Sequence, residues 1–245
     1  MRLAQATAAL AHNAMAVPIS AKGKPTLCLD TLAPANGFGH ENAHDALADV
    51  EATIYMARLI RDRAPAVWNS LLPLVDKGEV AARLSSGVPK CIVEYHMGVP
   101  SVRAVVGCGH HPKNSTMQAV FDLRRDPAEV LSLSEEDLVE ETKGPNRALR
   151  TVYANKMPAL VDLGLAGDLQ GTIGLPKAEV VRRAAVVAAD GQFAARVGTR
   201  QWNSATRPSS PPWWSRAECM RASQAELTRT ECRRSARRSG SSGRR

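Results

Sequence analysis

The sequence predicts an α/β protein in which helices form the first part, a small β domain follows, and a basic tail comes last. Three observations support this prediction. Apolar residues recur at helical spacing from Asp45 to Arg63, and Pro65 ends the pattern. Beyond Gly87, four short apolar runs are separated by glycine and proline turns, as is typical of strands. Beyond Thr199, arginine and serine dominate, and Val, Ile and Phe are absent.

Three helical segments are expected before the strands. The first covers the Ala-rich stretch from Leu3 to Ala16. The second runs from Asp45 to Arg63, and either Asn42 or Asp45 is expected to cap its start. A third, shorter helix is expected between Trp68 and Val75. The apolar stripe of the second helix consists of Leu47, Val50, Ile54 and Ala57, widened by Met56, Leu59 and Ile60.

Four strands define the predicted β domain. They are Cys91–Tyr95, Val102–Val106, Gln118–Leu123 and Leu149–Tyr153. Turns are expected at residues 98–100, 107–114 and 144–145. Strands of this length and spacing suggest a small barrel or a half-buried sheet. Ser134 is expected to cap a short helix between the third and fourth strands, and residues 180–197 to form the last helix.

The basic excess of the chain is confined to its tail. The net charge is +8, from 32 basic and 24 acidic residues. Residues 200–245 contain eleven arginines and three glutamates, which leaves 21 residues of each sign in the body. A segment so poor in apolar residues is expected to be disordered. Its arginines fit either an arm that binds nucleic acid or an extension translated out of frame, and the second interpretation is favoured.

Composition also limits where the protein works. No apolar run is long enough to span a membrane, and polar residues interrupt the apolar start of the chain as a secretion signal would not. The five cysteines are odd in number and form no C-x-x-C pair, which argues against a disulfide framework and a structural zinc site. A cytoplasmic location is therefore expected, and a monomer is favoured.

One motif carries candidate chemistry. The string from Glu41 to Ile54 places His44 at the start of the long helix and Asp49 about one turn later. A histidine and a carboxylate at this spacing can face one cleft, where the carboxylate holds a divalent ion and the imidazole takes a proton from water. A helix start with an exposed His44 and a capping aspartate explains the same spacing, and spacing alone favours that second interpretation.

The wider string NAHDALADVEATIYMARLIRDRAP resembles the third motif of the DEDD exonuclease superfamily in its histidine-bearing form. More specifically, it is similar to bacterial exodeoxyribonuclease I. Residues 32–37, which lead into the motif, resemble the same family. So do three segments further along the chain: Gly109–Asn114, Val120–Leu123 and Tyr153–Pro158. The resemblance runs from about residue 27 to about residue 174, and the block from His44 to Ile54 is its most specific part.

The resemblance implies a function and a set of site residues. That family degrades single-stranded DNA from the 3′ end to nucleoside monophosphates with Mg²⁺. Carried over to this sequence, His44 is expected to be the general base and Asp49 a metal ligand. Two ions about 4 Å apart are expected to flank the scissile phosphate. Single-stranded DNA is the implied partner, and single-strand DNA-binding protein is a further partner by family resemblance.

The resemblance also implies a domain organisation. Residues 1–75 are expected to be the C-terminal remnant of a ribonuclease-H-like exonuclease domain. Residues 76–175 are expected to form an SH3-like β-barrel domain with an α insertion. Residues 176–199 begin a helical domain, and residues 200–245 are the basic tail.

The sequence departs from the family pattern at its acidic motifs. The family requires a D-x-E on the first strand and a further aspartate before the histidine motif. Upstream of His44, the acidic residues are Asp30 and Glu41 alone. The string Asp49-Val-Glu51 lies within the helix and cannot replace the D-x-E. The expectation is therefore an N-terminally truncated member that is inactive, or nearly so, by itself, since carboxylate count governs how well a site holds Mg²⁺.

Two other functions remain open. The chain fits a non-catalytic module that binds single-stranded DNA, or a decayed gene product that does not fold stably. Among weaker candidates, His110 and His111 are expected to lie in a surface turn rather than on a metal. Tyr95, His96 and Phe121 fit either base stacking or core packing, and packing is favoured for Phe121. Arg58, Arg61 and Arg63 are explained equally well by phosphate contacts or by a solvated helix face.

Overall fold

The computed structural model describes residues 2–39, 46–96 and 99–200. All of these residues belong to one compact unit. Five helices form the first part of the chain: α1 (Arg2–Leu10), α2 (Leu29–Ala35), α3 (Ala46–Arg63), α4 (Pro65–Leu71) and α5 (Lys77–Ser85). The predicted first helix stops at Leu10 and continues as a single 3-10 turn at His12–Ala14. The candidate caps Asn42 and Asp45 lie outside the described residues.

The apolar stripe of α3 divides into two halves that differ in burial. In the second half, Ala52, Met56, Leu59 and Ile60 are buried against the other helices. In the first half, Leu47 is 65%, Val50 54% and Ile54 44% exposed. The N-terminal half of the stripe is therefore exposed, because no described element covers it.

Five antiparallel strands follow the helices and form one sheet. They are β1 (Lys90–His96), β2 (Val99–His111), β3 (Asn114–Asp122), β4 (Leu149–Tyr153) and β5 (Ala159–Asp162). Their order in the sheet is β4-β3-β2-β1-β5. The α/β class and the four predicted strands are confirmed. The fifth strand was not predicted, because four residues directly after a proline carry little strand pattern.

The predicted turn at residues 107–114 is wrong over most of its length. β2 continues to His111, and its pairing with β3 shifts register between Gly107 and Gly109. A Cβ atom on Gly107 would lie 2.0 Å from the backbone oxygen of Leu84 in α5. The two glycines therefore mark a bulge and a close approach of a helix to the strand. The sequence signal for a turn and for such a contact is the same.

The remaining helices surround the sheet. They are α6 (Pro127–Val130), α7 (Glu135–Glu140), α8 (Leu169–Ile173), α9 (Lys177–Ala189) and α10 (Gly191–Arg200). The predicted cap of α7 is confirmed, since the Ser134 hydroxyl accepts a hydrogen bond from the Asp137 amide at 3.2 Å. The single helix predicted for residues 180–197 breaks at Asp190. That residue leaves the helical conformation, and its carboxylate accepts a hydrogen bond from the Phe193 amide at 2.8 Å.

The break before α10 lets that helix close the core of the sheet. Phe193 is fully buried and meets Phe121 of β3 edge to face, with ring centroids 6.2 Å apart. Cys91 and Cys108 are buried free thiols, and burial raises the pKa of Cys91 to about 11.

The sheet curls so that its outer strands approach each other. A flat sheet of five strands would hold its outer strands about 19 Å apart. Here β4 and β5 are joined by five residues, three of which form the 3-10 turn Ala154–Lys156. Residues of β1, β4 and the start of β5 line one cavity. In the described ranges, no helix has the length and apolar character required to cross a membrane.

Candidate functional site

Asp49 lies in the first turn of α3, on the exposed half of the helix. Its side chain is half-buried. Its backbone oxygen accepts a hydrogen bond of 2.8 Å from the Thr53 hydroxyl, which closes the first turn. His44 lies outside the described residues, so the structure does not test the pairing of His44 with Asp49.

The segment that leads towards the motif is held by Asn36. Its side-chain amide donates to the backbone oxygens of Ala16 and Leu32, both at 2.8 Å. Its side-chain oxygen accepts from the Ala16 amide at 2.9 Å. One asparagine thus joins the end of α2 to the loop that follows α1. Side-chain bonds of this kind satisfy backbone groups that no regular element pairs.

Tyr55 connects the same segment to α3. Its hydroxyl donates to the backbone oxygen of Asn36 at 2.8 Å, and its ring lies 5.1 Å from that of Phe38. A Cβ on Gly37, whose φ is +95°, would lie 3.3 Å from the Tyr55 hydroxyl. The middle of α3 is therefore tied to the segment that precedes the histidine motif.

The described residues do not fit a magnesium site of the expected kind. Within the parts of the chain that the structure describes, no three residues of the types His, Cys, Asp or Glu lie close enough together to hold a metal ion. Asp30, the other carboxylate described before α3, lies in the first turn of α2. Mg²⁺ takes six oxygen ligands and is bound through carboxylates. Asp49 alone supplies too little charge and too few ligands.

A basic pocket on the curled sheet is a second candidate site, which sequence reasoning missed. It lies between β1 and β4 and has a volume of about 120 Å³. Its lining includes four arginines and one lysine, namely Arg2, Arg103, Arg147, Arg150 and Lys156. These residues are scattered over 155 positions of the chain, so no local run of charge signals the pocket. The curvature of the sheet and the packing of α1 against it bring them together.

The weaker sequence candidates are largely resolved. Phe121 is fully buried, which confirms packing over base stacking. Tyr95 is 5% exposed, and burial raises the pKa of its hydroxyl, so it offers no open stacking surface. The side chain of His96 lies outside the described residues. His110 and His111 end β2 just before the hairpin turn rather than lying within a long turn.

The three arginines of α3 lie on an exposed face of the helix. Arg58, Arg61 and Arg63 are exposed. Arg61 pairs with its neighbour Asp62 at 2.7 Å, and that contact raises the pKa of Arg61. An exposed pair of adjacent residues contributes little to stability. Phosphate contacts and a solvated helix face both fit these exposed arginines, and the choice between them stays a prediction.

Comparison with known proteins defines the class to which this architecture is related. No family model matches the chain. Its structure is similar to that of a moderately thermophilic Exonuclease I from Methylocaldum szegediense, with a TM-score of 0.64, 29% identity, and coverage of 84% of this chain and 46% of that one. It is also similar to Escherichia coli Exonuclease I in complex with a dA16 oligonucleotide, with a TM-score of 0.63, 26% identity, and coverage of 87% and 48%. A third similar structure, with a TM-score of 0.62, 25% identity and coverage of 80% and 44%, is that of SSB/Exonuclease I with an inhibitor. The solved structures that this chain resembles are thus structures of exonucleases.

The curated relatives that the chain resembles share one name, exodeoxyribonuclease I. Exodeoxyribonuclease I of Haemophilus influenzae is 32% identical over 152 residues, which are 56% of this chain and 32% of that protein. Exodeoxyribonuclease I of Escherichia coli is 32% identical over 155 residues, 58% of this chain and 33% of that protein. The resemblance to bacterial exodeoxyribonuclease I is therefore confirmed. The chain spans about a third of the length of these curated relatives.

Proposed function

We propose that this chain carries part of the machinery of a 3′→5′ exonuclease that releases nucleoside monophosphates from single-stranded DNA. The observation that carries the proposal is the motif from Glu41 to Ile54, within a chain 32% identical to exodeoxyribonuclease I over 152 residues. In this proposal, His44 takes a proton from the attacking water and Asp49 is a metal ligand. The helix α3 presents Asp49 at its first turn, and Tyr55 fixes that helix to the preceding segment.

The described residues do not supply the ligands that Mg²⁺ requires, and the proposed activity of the chain by itself is limited accordingly. Asp49 is a single carboxylate, and the sequence upstream of His44 offers no D-x-E. Weak binding of a hard cation follows from so few acidic ligands. The chain by itself is therefore proposed to hydrolyse DNA slowly or not at all.

The finer domain assignment is part of the same proposal. Residues 1–75 would be the end of a ribonuclease-H-like domain, and residues 76–175 an SH3-like domain, for which the curled five-stranded sheet is the supporting observation. Residues 176–199 would begin a helical domain. The basic tail from residue 200 onwards lies outside the described residues, apart from the backbone of Arg200. A cytoplasmic monomer that meets single-stranded DNA and single-strand DNA-binding protein completes the proposal.

A nuclease assay tests this function. The purified chain is incubated with a 5′-labelled single-stranded oligothymidylate and Mg²⁺, next to the variants Asp49→Ala and Asp62→Ala. Asp62 is a matched control, because it is an exposed carboxylate on the same helix. We expect that none of the three proteins shortens the labelled oligonucleotide. Shortening that requires Mg²⁺ and is lost in Asp49→Ala alone would contradict the proposed inactivity.

A second candidate function is that of a non-catalytic module for single-stranded DNA. The basic pocket of the sheet is the observation that favours it, because arginine and lysine supply most of the affinity for a phosphate backbone. The two candidates differ in their dependence on the motif in α3. Binding by a module survives Asp49→Ala and weakens steeply as salt is added.

A further inference from the structure

Residues 36 and 37 form the only Asn-Gly pair in the sequence, and the fold has a use for each residue. The side-chain amide of Asn36 donates to the backbone oxygens of Ala16 and Leu32, both at 2.8 Å, and its oxygen accepts from the Ala16 amide at 2.9 Å. Gly37 has a φ of +95°, and a Cβ there would lie 3.3 Å from the Tyr55 hydroxyl. The local packing therefore requires both residues of the pair.

An asparagine followed by glycine is chemically labile in water, because the small glycine does not hinder attack by its own backbone nitrogen. That nitrogen attacks the side-chain carbon Cγ of the asparagine, the new N–C bond closes a succinimide ring, and the amide nitrogen leaves as ammonia. The attacking nitrogen gives its proton to hydroxide, and the leaving group takes a proton from water. Water then opens the ring at either carbonyl, which yields aspartate or isoaspartate. The net reaction consumes water and releases ammonia, without oxidation or reduction.

The folded segment holds the reacting atoms apart. The hydrogen bonds of the Asn36 side chain fix its Cγ, and the attacking nitrogen of Gly37 donates to the Pro34 oxygen at 3.1 Å. The ψ angle of Asn36 is 12°, so ring closure requires the peptide plane to rotate until the Gly37 nitrogen faces Cγ. The Tyr55 hydroxyl opposes that rotation, because it donates to the Asn36 backbone oxygen at 2.8 Å. The reaction therefore needs a local opening of this segment.

We propose that Asn36 is a site of covalent modification, at which local opening allows deamidation and deamidation then keeps the segment open. An aspartate at this position has no N–H to donate, so the backbone oxygens of Ala16 and Leu32 lose their donor and face a negative charge. An isoaspartate also redirects the backbone through the former side chain, so the carbonyl that accepts from Tyr55 leaves the peptide link. The lost amide is not regained from water, and modified molecules accumulate.

The modification acts at the entry to the histidine motif but does not depend on the proposed nuclease function. Residues 32–37 lead into that motif along the chain, and the middle of α3 is tied to them through Tyr55. Either product therefore loosens the connection between the end of α2, the loop after α1 and α3. Water is the reactant, and no step involves a metal ion, DNA, His44 or Asp49. The modification is consequently tested without a nuclease assay.

The first experiment follows peptide masses from the full chain during incubation in mildly alkaline buffer, with and without urea. Replacement of an amide by a carboxylate raises the mass of a peptide, and chromatography separates aspartate from isoaspartate. Asn114 is the internal control, because it is exposed and its side-chain oxygen accepts from the amide and hydroxyl of Thr116. We expect deamidation at Asn36 to be at least about tenfold slower without urea than with it, and the rate at Asn114 to change far less. Equal rates at Asn36 in the two buffers, or no reaction there in urea, would overturn the proposal.

A second experiment tests the hydroxyl that holds the segment closed. Tyr55→Phe removes the donor to the Asn36 backbone oxygen and keeps the ring beside Phe38, so it should speed deamidation of the folded chain by about fivefold. Tyr153→Phe, the same chemical change in β4, is the control and should leave the rate at Asn36 unchanged. Equal rates in the two variants would contradict the role of the Tyr55 hydroxyl.

A third experiment tests the consequence of the modification. Asn36→Asp reproduces one product, whereas Asn114→Asp is the matched control because Asn114 uses its side-chain oxygen as an acceptor, which aspartate retains. We expect hydrogen exchange of the backbone amides at residues 31–38 to be at least about tenfold faster in Asn36→Asp than in the unaltered chain, and unchanged in Asn114→Asp. Equal exchange in all three proteins would overturn the second half of the proposal. The rate comparison in urea needs no variant, so it decides the first half even if Asn36→Asp fails to fold.

Discussion

The N-terminal half of α3 and the curled sheet differ in how far each completes its own packing. The sheet buries its large side chains fully, and α10 closes it with Phe193 at 0% exposure. The first half of α3 instead leaves Leu47, Val50 and Ile54 between 44% and 65% exposed. Apolar residues at this spacing on one helix face normally pack against another element. The comparison indicates that the sheet is structurally sufficient, whereas the start of α3, which carries Asp49, depends on something the described residues do not supply.

The largest expected effect comes from removing the contact that closes the sheet. Phe193→Ala should lower the free energy of unfolding by about 3–5 kcal/mol, because it leaves a cavity between α10 and Phe121. Denaturation by urea measures the change. Val186→Ala serves as the control, since Val186 is 40% exposed on the neighbouring helix, and it should cost much less. Similar losses for both variants would show that α10 does not close the core.

A somewhat smaller loss is expected at the close approach of α5 to β2. Gly107→Ala should lower the free energy of unfolding by roughly 3 kcal/mol, because the new Cβ would lie 2.0 Å from the Leu84 backbone oxygen. Backbone cannot move aside as a flexible side chain can. Gly164→Ala is the matched control, as no atom lies within 4 Å of its new Cβ. Equal stability of the two variants would contradict the contact between helix and strand.

Substitution of apolar residues should lower the free energy of unfolding strongly in the buried half of α3 and only slightly in its exposed half. Ile60→Ala, in the buried half, should cost about 2–5 kcal/mol. The double variant Val50→Ser and Ile54→Ser, in the exposed half, should change the free energy of unfolding by less than about 1 kcal/mol and reduce aggregation measured by light scattering. A large loss of stability from the serine variant would mean that the exposed half is packed in solution.

The smallest effect is expected at the ion pairs that fix α9. Glu179 holds Arg182 and Arg183, and these contacts lower the pKa of the Glu179 carboxyl to about 2. A carboxyl with a lowered pKa stabilises the fold above its unfolded pKa of about 4.3, and this contribution is lost as the pH falls towards 2. The melting temperature of Glu179→Gln should therefore lie slightly below that of the unaltered chain at pH 6. The gap should narrow as the pH approaches 2, and a constant gap would contradict the pairing.

Sequence patterns over a few residues predicted the features that depend only on neighbouring residues, namely helices, strands and a helix cap. The period of apolar residues located α3 and four strands, and the Ser134 cap was confirmed because side chain and backbone partner are three residues apart. The turn predicted at Gly107 was wrong, because a sequence shows the same glycine whether the chain turns there or another backbone segment packs closely against it. The burial of Met56 and the exposure of Val50 follow from which elements are present around α3, which no periodicity reveals.

The two candidate sites differ in the same way, since one is contiguous in the sequence and the other is assembled by the fold. The motif around His44 and Asp49 is contiguous, so the resemblance could be seen in the sequence and is supported by relatives 32% identical over 152 residues. The basic pocket joins residues from position 2 to position 156, and it is assembled by the curling of the sheet and the packing of α1. Whether His44 and Asp49 act together stays a prediction, because His44 lies outside the described residues.

The most direct test of the central proposal, that this chain holds Mg²⁺ only weakly because Asp49 is its one recognised carboxylate ligand, is a calorimetric titration of the purified chain with Mg²⁺. The account predicts no saturable binding at submillimolar concentration, and the same titration curve for the unaltered chain and for Asp49→Asn. Two saturable sites in the unaltered chain, both lost in Asp49→Asn, would contradict it. That result would mean that ligands beyond those recognised in the sequence complete the site around Asp49.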